Sequence, residues 1–445
     1  MPNFRKDFYA DVRREKRYAS DVRFIGPNLV ECRESTIEKA FIRVYDGKMW
    51  YYCSTDDMDK IQEELDGLYS CATPNPDIAN DPIVKKFEIN KDTVIKYEKN
   101  CVKNVPLEKK REFLEKRKNV VENDEYLKQS GASYGDRHSL FDFTSSLGAN
   151  LTFDTQSVRC AISISLAYGK ETFDDSLIAF SDSFETLKMS KEKLIEFKES
   201  SDEFLLKAKS VEPGRFPVVL SPAAAGIFAH ESFGHKSESD FMLGDETMKK
   251  EWTLGKEVAS PILSIYDTGT IPGAGYVPYD DEGTKMKKTY LIKNGVLSGR
   301  LHSAKTAAEL GEELTGNARA INCDYEPIVR MTTTLIEGRG NDTKDDLISR
   351  IKYGYYIKNC KHGSGMSTFT IAPNVAYRIE NGKITAPVKI AVISGNVFDT
   401  LGKIDGVSRA QDTEVSAGNC GKMEQYPLPV ALGGAYISVS EMDVQ

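Results

Sequence analysis

The pattern of apolar and polar positions predicts both helices and strands in the first half of the chain. Phe4, Phe8 and Val12 recur at helical spacing and predict a surface helix near the N-terminus. Asp46-Gly47 lies between β-prone flanks and predicts a hairpin over 41–52. The other predicted elements are a helix beginning at Ser54, a long exposed helix over 107–129, strands over 140–145, 149–154 and 158–167, and a helical segment within 183–210.

The second half of the chain is predicted to be rich in strands. The composition changes at Val211-Glu212-Pro213-Gly214, where we place a boundary between two domains, 1–212 and 213–445. Beyond it, Asn294-Gly295 and Asn381-Gly382 each lie between apolar flanks and predict two-residue hairpin turns. The predicted fold class is therefore α+β: an N-terminal domain of sheet and helices, followed by a β-rich, barrel-like domain.

One helix is predicted at the start of the second domain. Residues 216–220 have the composition of a buried strand, and Ser221 and Pro222 are typical of a helix N-cap and of the first helical position. The small residues over 223–226 would let this helix pack closely against a neighbouring element. The helix leads directly into His230-Glu231-Ser232-Phe233-Gly234-His235.

The spacing of the two histidines makes a structural demand on this helix. An ideal α-helix separates positions i and i+5 by roughly 140°, so His230 and His235 would point apart on a regular helix. One inserted residue, a π-bulge, would return both rings to one face, and Gly234 tolerates the distorted backbone. The motif therefore predicts a π-type widening near Phe233-Gly234.

The residue types of the motif suit metal-dependent hydrolysis. Neutral imidazoles bind Zn²⁺, and an open position on the metal lowers the pKa of a bound water to about 7. Glu231, next to His230, can take the proton of that water and pass it to a leaving amine. The hypothesis is a metallopeptidase of the HExxxH type. The alternative is a chance pattern, with His230 and His235 as structural histidines on an alanine-rich helix.

Composition and charge narrow the class of protein. With 445 residues the chain is too long for one ordinary core, which supports two domains. A net charge of -8 gives no general attraction for nucleic acid or acidic membranes, and no apolar run approaches about 18 residues. The charged N-terminus lacks the apolar segment of a secretory signal, and the eight cysteines form no CxxC pair. We therefore expect a cytoplasmic protein that binds neither nucleic acid nor membrane.

The motif and the segments after it resemble the TldD branch of the TldD/PmbA family, also called modulators of DNA gyrase. The resemblance runs in order over about residues 214–435, whereas the N-terminal half is less similar. It is carried by 229–236 with Asp240-Phe241, Asp280-Asp281-Glu282-Gly283, Ile292-Lys293-Asn294-Gly295, Thr315-Gly316-Asn317-Ala318-Arg319, 327–332, 379–383 with 387–389, and Gly418-Asn419-Cys420-Gly421-Lys422.

The resemblance implies a zinc metallopeptidase that acts on peptides or unfolded polypeptides. Carried over onto this sequence, it implies His230, His235 and Cys420 as zinc ligands and Glu231 as the general base. Spacing alone does not distinguish Cys420 from the other cysteines of the second domain. The family also implies a homodimer, or a heterodimer with a homologous subunit. The alternative function is a non-catalytic protein-binding scaffold or modulator subunit, for which bound zinc would be unnecessary.

Several other polar residues are weaker candidates for a functional role. Arg319 and Arg330 could hold substrate carboxylates, although surface ion pairs are the simpler interpretation. Asp240 could orient a metal-ligating histidine or serve as an ordinary cap. Asp280-Asp281-Glu282 could suggest calcium, but a solvated turn is the preferred interpretation. Two histidines outside the motif are expected to be structural: His302 and His362.

Overall fold

The computed structural model describes residues 2–445 and shows an α+β architecture rich in strands. The first seven strands of the chain form one sheet. Counted in chain order, they lie side by side as third, second, first, fifth, sixth and fourth, and the seventh also pairs with the sixth. Neighbours are antiparallel except for the parallel fourth and sixth strands. In chain order they are β1 (Tyr9–Ile25), β2 (Asn28–Tyr45), β3 (Trp50–Thr55), β4 (Lys91–Val94), β5 (Leu127–Ser145), β6 (Asn150–Tyr168) and β7 (Glu171–Ser181).

The N-terminal segment is a strand, so the predicted surface helix is wrong. β1 lies inside the sheet and pairs along its length with β2 on one side and β5 on the other. Phe8, Ala10 and Val12 alternate onto one face and are buried in a single apolar cluster. Because neighbours on both sides satisfy the backbone hydrogen bonds, strand pairing outweighs the helical spacing of Phe4, Phe8 and Val12.

Other predictions for this half are confirmed or corrected in their bounds. The hairpin at Asp46-Gly47 joins β2 to β3, with Gly47 at a φ of 94°. The strands predicted over 149–154 and 158–167 are one continuous strand, β6, because it pairs without a break along β5. The helix predicted over 107–129 ends at Val121, before β5 begins.

Three longer helices follow or connect the strands of this sheet: α1 (Ile61–Cys71), α2 (Leu107–Val121) and α3 (Lys191–Lys207). α2 is less exposed than predicted, since Lys110 is buried and its Nζ lies 2.7 Å from the carboxylate of Asp136 on β5. Short 3-10 turns occur at Met58–Lys60, Ile78–Asn80, Val84–Lys86 and Val102–Asn104.

The remaining strands form three sheets of eight, six and two strands. They are β8 (Lys209–Ser210), β9 (Gly214–Leu220), β10 (Ile265–Asp267), β11 (Thr289–Lys293), β12 (Val296–Leu297), β13 (Ala318–Arg319), β14 (Ile328–Val329), β15 (Thr333–Ile336), β16 (Tyr353–Gly365), β17 (Thr368–Glu380), β18 (Lys383–Lys389), β19 (Ile393–Asn396), β20 (Ile404–Val407), β21 (Glu414–Lys422), β22 (Gln425–Gly434) and β23 (Ile437–Val444).

Five of these strands close into a barrel, as the predicted barrel-like architecture requires. The order β16-β9-β23-β19-β17 returns to its start because β17 also pairs with β16. Both predicted Asn-Gly hairpins are confirmed, with Asn294 and Asn381 at positive φ between paired strands. The boundary between two domains at residue 212 stays a prediction.

The helix that precedes the histidine motif packs inside this second half. α4 (Pro222–Ala229) follows β9 and lies against β16 and β22. A Cβ on Gly226 would lie 2.3 Å from the backbone nitrogen of Gly433, so the small residue is what permits the close approach. No helix within residues 2–445 is long and apolar enough to cross a membrane. The other helices are α5 (Glu246–Glu251), α6 (Ala304–Leu310), α7 (Lys344–Ser349) and α8 (Val397–Gly402), with 3-10 turns at His235–Ser237, Ser239–Met242 and Ala410–Asp412.

Candidate metal centre

The histidine motif adopts the backbone distortion that its spacing demands. The Ser221 side chain caps α4 by accepting from the N–H of Ala224 at 3.2 Å, and Pro222 occupies the first turn. α4 then passes into a π-helical turn, His230–Gly234, and a 3-10 turn follows. Gly234 packs closely against Met331 at this point: a Cβ there would lie 2.1 Å from the sulfur, so the methionine side chain would have to move. The predicted π-type widening is thus confirmed.

The widened turn brings both imidazoles next to a cysteine from the far end of the chain. Ligand atoms of His230, His235 and Cys420 all lie within 4.8 Å of one another. The Sγ of Cys420 is 3.5 Å from Nε2 of His235, although the two residues are 185 positions apart in the sequence. The two imidazole rings have centroids 5.0 Å apart and stand at 79° to each other. Among residues 2–445 this is the one compact group of histidine, cysteine and carboxylate donors.

Cys420 is carried by the hairpin of β21 and β22, and two buried arginines hold the backbone around it. Arg330 donates from Nη2 to the carbonyl of Cys420 at 2.8 Å, and Arg319 donates to the carbonyls of Met331 and Pro429 at 2.5 and 3.0 Å. Burial and the charge of Arg330 lower the pKa of Arg319 to about 10. The preferred interpretation of Arg319 and Arg330 as surface ion pairs is therefore wrong, since both are buried and position backbone.

A carboxylate that sequence reasoning missed contacts one of the two histidines. Glu238 is fully buried, and its Oε2 lies 3.0 Å from Nδ1 of His235. Its other oxygen accepts from the N–H of Met331 at 3.2 Å, and the Nζ of Lys422 is 3.1 Å from Oε2. Glu238 therefore orients the ring so that Nε2 of His235 faces Cys420. The signal in the sequence was an acidic residue three positions after His235.

Asp240 neither contacts a histidine of the motif nor caps a helix, the two roles considered for it from the sequence. Its Oδ1 pairs with the Nζ of Lys422 at 2.6 Å, and its Oδ2 accepts from the N–H of Val329 at 3.3 Å. Lys422 therefore joins the carboxylates of Glu238 and Asp240 in one buried ion-pair network.

Burial and mutual hydrogen bonds shift the pKa values of the residues in this cluster. Burial by itself would raise the pKa of Cys420, but hydrogen bonds to His230 and His235 outweigh it and lower the pKa to about 5. Burial by itself would lower the pKa of His235, yet Cys420 and Glu238 raise it to about 10. Burial raises the pKa of Glu231. At neutral pH, without metal, Cys420 is therefore a thiolate and His235 an imidazolium.

The donor set fits a zinc ion by its chemistry. Two imidazoles and one thiolate are common protein ligands of Zn²⁺, and three protein ligands leave a position for water or substrate. Nδ1 of His230 is buried and has no hydrogen-bond partner among residues 2–445, which is costly for a purely structural histidine. His302, by contrast, is fully buried and bonded to the carboxylate of Glu312 at 2.9 Å, whereas His362 is exposed on β16.

The acidic turn, Asp280-Asp281-Glu282, is largely buried, so its interpretation as a solvated turn is wrong. Asp280 accepts three backbone N–H bonds at 2.9–3.0 Å. Asp281 pairs with Arg13 at 2.8 Å, and Glu282 pairs with Arg43 at 3.1 Å. Both arginines come from the first sheet, which the sequence pattern did not place next to this turn.

Comparison with known proteins shows the family of the chain. Residues 213–445 match the family model described as the PmbA/TldA metallopeptidase C-terminal domain. A protein named "Metalloprotease" from Methanocaldococcus jannaschii is 32% identical over 96% of this chain and 95% of its own length. The chain belongs to the PmbA/TldD family.

Other relatives in the PmbA/TldD family are similar over part or all of the chain. The "Zinc metalloprotease TldD homolog" of Saccharolobus solfataricus is 35% identical over 54% of this chain and 53% of its own length. A crystal structure from Thermotoga maritima, described as a "modulator of a DNA gyrase", has a TM-score of 0.79 at 19% identity. That match covers 98% of this chain and 96% of the other, and it shows that the fold is shared.

Proposed function

We propose that this member of the family is a zinc metallopeptidase that hydrolyses peptides or unfolded polypeptides. The observation that carries the proposal is the convergence of His230, His235 and Cys420 within 4.8 Å, from segments far apart in the chain. The names of the relatives, which are metalloproteases and in one case a zinc metalloprotease, support the same reaction class.

In the proposed mechanism, His230, His235 and Cys420 would hold the ion. Zinc bound there would polarise the scissile carbonyl and lower the pKa of a water molecule. Glu231 is partly exposed at the π-helical turn and close enough to interact electrostatically with both imidazoles. Its raised pKa suits a carboxylate that takes a proton from water and returns it to the leaving amine.

The neighbouring residues keep the ligands in place. Glu238 accepts a hydrogen bond from Nδ1 of His235, so Nε2 faces Cys420 and could bind the metal once it has lost its proton. Arg330 fixes the carbonyl of Cys420 and thereby the position of its thiolate. The proposed partner, a second copy of the chain or a homologous subunit, stays a prediction that analytical ultracentrifugation would check.

The decisive experiment replaces the proposed base. Glu231→Gln should retain about one zinc per chain while hydrolysis of an unfolded polypeptide falls by about 10²–10⁴-fold, because the amide cannot carry the proton. Glu251→Gln, at a partly exposed carboxylate near Lys236, is the matched control and should leave the rate unchanged.

Two results would contradict the proposal in different ways. Full hydrolysis by Glu231→Gln would remove this residue from the mechanism. A purified chain that neither retains zinc nor hydrolyses polypeptides would favour the alternative, a non-catalytic binding scaffold.

A further inference from the structure

A second cluster of reactive side chains is built on the first sheet. The Nε2 of His138, on β5, lies 3.2 Å from Oδ2 of Asp154, on β6. The thiol of Cys101, in the loop between β4 and α2, lies close enough to the imidazole of His138 for the two groups to interact. Cys101 is partly exposed, whereas Asp154 is fully buried. None of these residues has a role in the proposed peptidase mechanism.

The sheet register places the histidine and the carboxylate on one face. His138 is paired with Gln156 in the β5–β6 register, and Asp154 lies two residues before Gln156 on the same strand. Because side chains alternate along a strand, Asp154 and Gln156 project from the same face, beneath the loop that carries Cys101.

Gln156 fixes the loop on both sides of the cysteine. Its side-chain nitrogen donates to the carbonyl of Asn100 at 3.1 Å, and its oxygen accepts from the N–H of Val102 at 2.9 Å. Gln156 is almost fully buried, so these bonds are shielded from water. Cys101 is therefore held between two anchored residues.

Asp154 anchors the same loop a few residues earlier. One oxygen accepts from the N–H of Lys96 at 2.7 Å and the other from the N–H of Tyr97 at 3.0 Å. These bonds hold the carboxylate in place while Oδ2 also contacts His138. The thiol, the imidazole and the carboxylate are thus all supported by backbone contacts.

The three side chains form a series and not a compact metal-type group. Among residues 2–445, only the cluster of His230, His235 and Cys420 has all donor atoms within 4.8 Å of one another. Cys101 and Asp154 each contact His138 without converging on a single point. A thiol, an imidazole and a carboxylate in series is the arrangement of an activated nucleophile, in which the carboxylate orients the imidazole and the imidazole takes the proton of the thiol.

The local charges favour an ion pair between thiol and imidazole. Burial by itself would raise the pKa of Cys101, but hydrogen bonds from His138 and from the N–H of Lys103 lower it. Burial by itself would lower the pKa of His138, but Asp154 and Cys101 raise it to about 9. The nearby Lys96 and Asp182 side chains lie 3.5 Å apart and largely offset each other.

We propose that Cys101 is an activated nucleophilic cysteine, held by His138 and Asp154, and a modification site for small soft electrophiles. In the step, the sulfur attacks the electrophilic carbon and a C–S bond forms as the leaving group departs with its bonding electron pair. With iodoacetamide as the probe, iodide leaves, the thiol proton stays on His138 and no oxidant or reductant is needed.

The test is site-resolved alkylation of the full-length protein. Limiting iodoacetamide is added between pH 5.5 and 9, and peptide mapping by mass spectrometry gives the rate at Cys101 and at the exposed Cys32 and Cys71. At pH 6 we expect Cys101 to react at least about tenfold faster, because an ordinary thiol with a pKa near about 8.5 is almost entirely protonated there. A rate at Cys101 that follows Cys32 and Cys71 over the whole range would overturn the proposal.

A pair of variants tests the part of the imidazole. His138→Gln should bring the pH profile of Cys101 close to that of Cys32 and Cys71, while His362→Gln, at an exposed histidine, should leave it unchanged. An unchanged profile in folded His138→Gln would overturn the role of His138. If that variant does not fold, the wild-type profile still decides, because it compares three cysteines in one folded molecule.

Discussion

Two buried polar regions of this protein, the acidic turn Asp280-Asp281-Glu282 and the candidate metal centre, differ in the partners of their polar atoms. In the acidic turn, Asp280 accepts three backbone N–H bonds and Glu282 pairs with Arg43, so both carboxylates have partners within the protein. At the candidate metal centre, His230 keeps an unpaired buried nitrogen, and Cys420 faces two imidazoles. The difference separates a structural cluster, whose carboxylates are bonded to other groups of the protein, from a cluster in which one thiol and two imidazoles lie close enough together to hold one metal ion.

The largest expected effect comes from removing a proposed ligand of the metal centre. Cys420→Ser should lose stoichiometric zinc and hydrolysis, because two imidazoles alone cannot replace the thiolate. Zinc per chain after dialysis is the measurement. Cys323→Ser and Cys360→Ser, at two other buried cysteines, are the controls and should keep the metal. A zinc content of one per chain in Cys420→Ser would move the ligand role elsewhere.

A substitution that disrupts the acidic turn should lower the stability of the protein and leave its metal binding unchanged. Arg43→Met removes the partner of two buried carboxylates, Asp11 at 2.9 Å and Glu282 at 3.1 Å. We expect the free energy of unfolding, measured with urea, to fall by about 3–5 kcal/mol, because two buried carboxylates lose their cationic partner. Arg23→Met, at a half-exposed pair with Glu31, should cost less than about 1 kcal/mol. Equal effects of the two substitutions would contradict the comparison.

The next effect is a graded loss of zinc affinity through Glu238. Glu238→Gln leaves His235 without its carboxylate partner and should weaken zinc binding by about 10–100-fold. Asp240→Asn is the matched control, because Asp240 shares Lys422 with Glu238 but has no hydrogen bond to His235 in the described structure. Competition with a chelator measures both affinities, and a larger loss in Asp240→Asn would contradict the assignment.

The unaltered protein should also show a zinc affinity that depends on pH, by a smaller amount for each pH unit than the loss caused by removing a ligand. Without metal, His235 has a pKa of about 10 and holds a proton that zinc binding must displace. Affinity should therefore rise by about tenfold per pH unit from pH 6 to pH 9. Below the pKa of Cys420, about 5, a second proton competes and the dependence becomes steeper. Chelator competition at several pH values checks the slope, and a flat profile would contradict it.

Features that depend on a few neighbouring residues could be predicted from the sequence. The Asn-Gly hairpins, the cap at Ser221 and the π-helical turn at His230–Gly234 each follow from local geometry, and the structure confirms them. The closed barrel was predicted only as a β-rich, barrel-like domain. Cys420 was assigned from the family resemblance, since nothing in its spacing distinguishes it from other cysteines.

The turns, the cap and the distorted motif helix can therefore be predicted from the sequence alone, because their energies lie in contacts between residues close in the chain. That the N-terminal segment is a strand depends on the tertiary structure, since β2 and β5 supply its hydrogen bonds. The burial of Asp280 and Glu282 and the contact of buried Glu238 with His235 depend on it as well. These outcomes depend on which distant groups pack together, and hydrophobic periodicity carries no information about the partner of a buried charge.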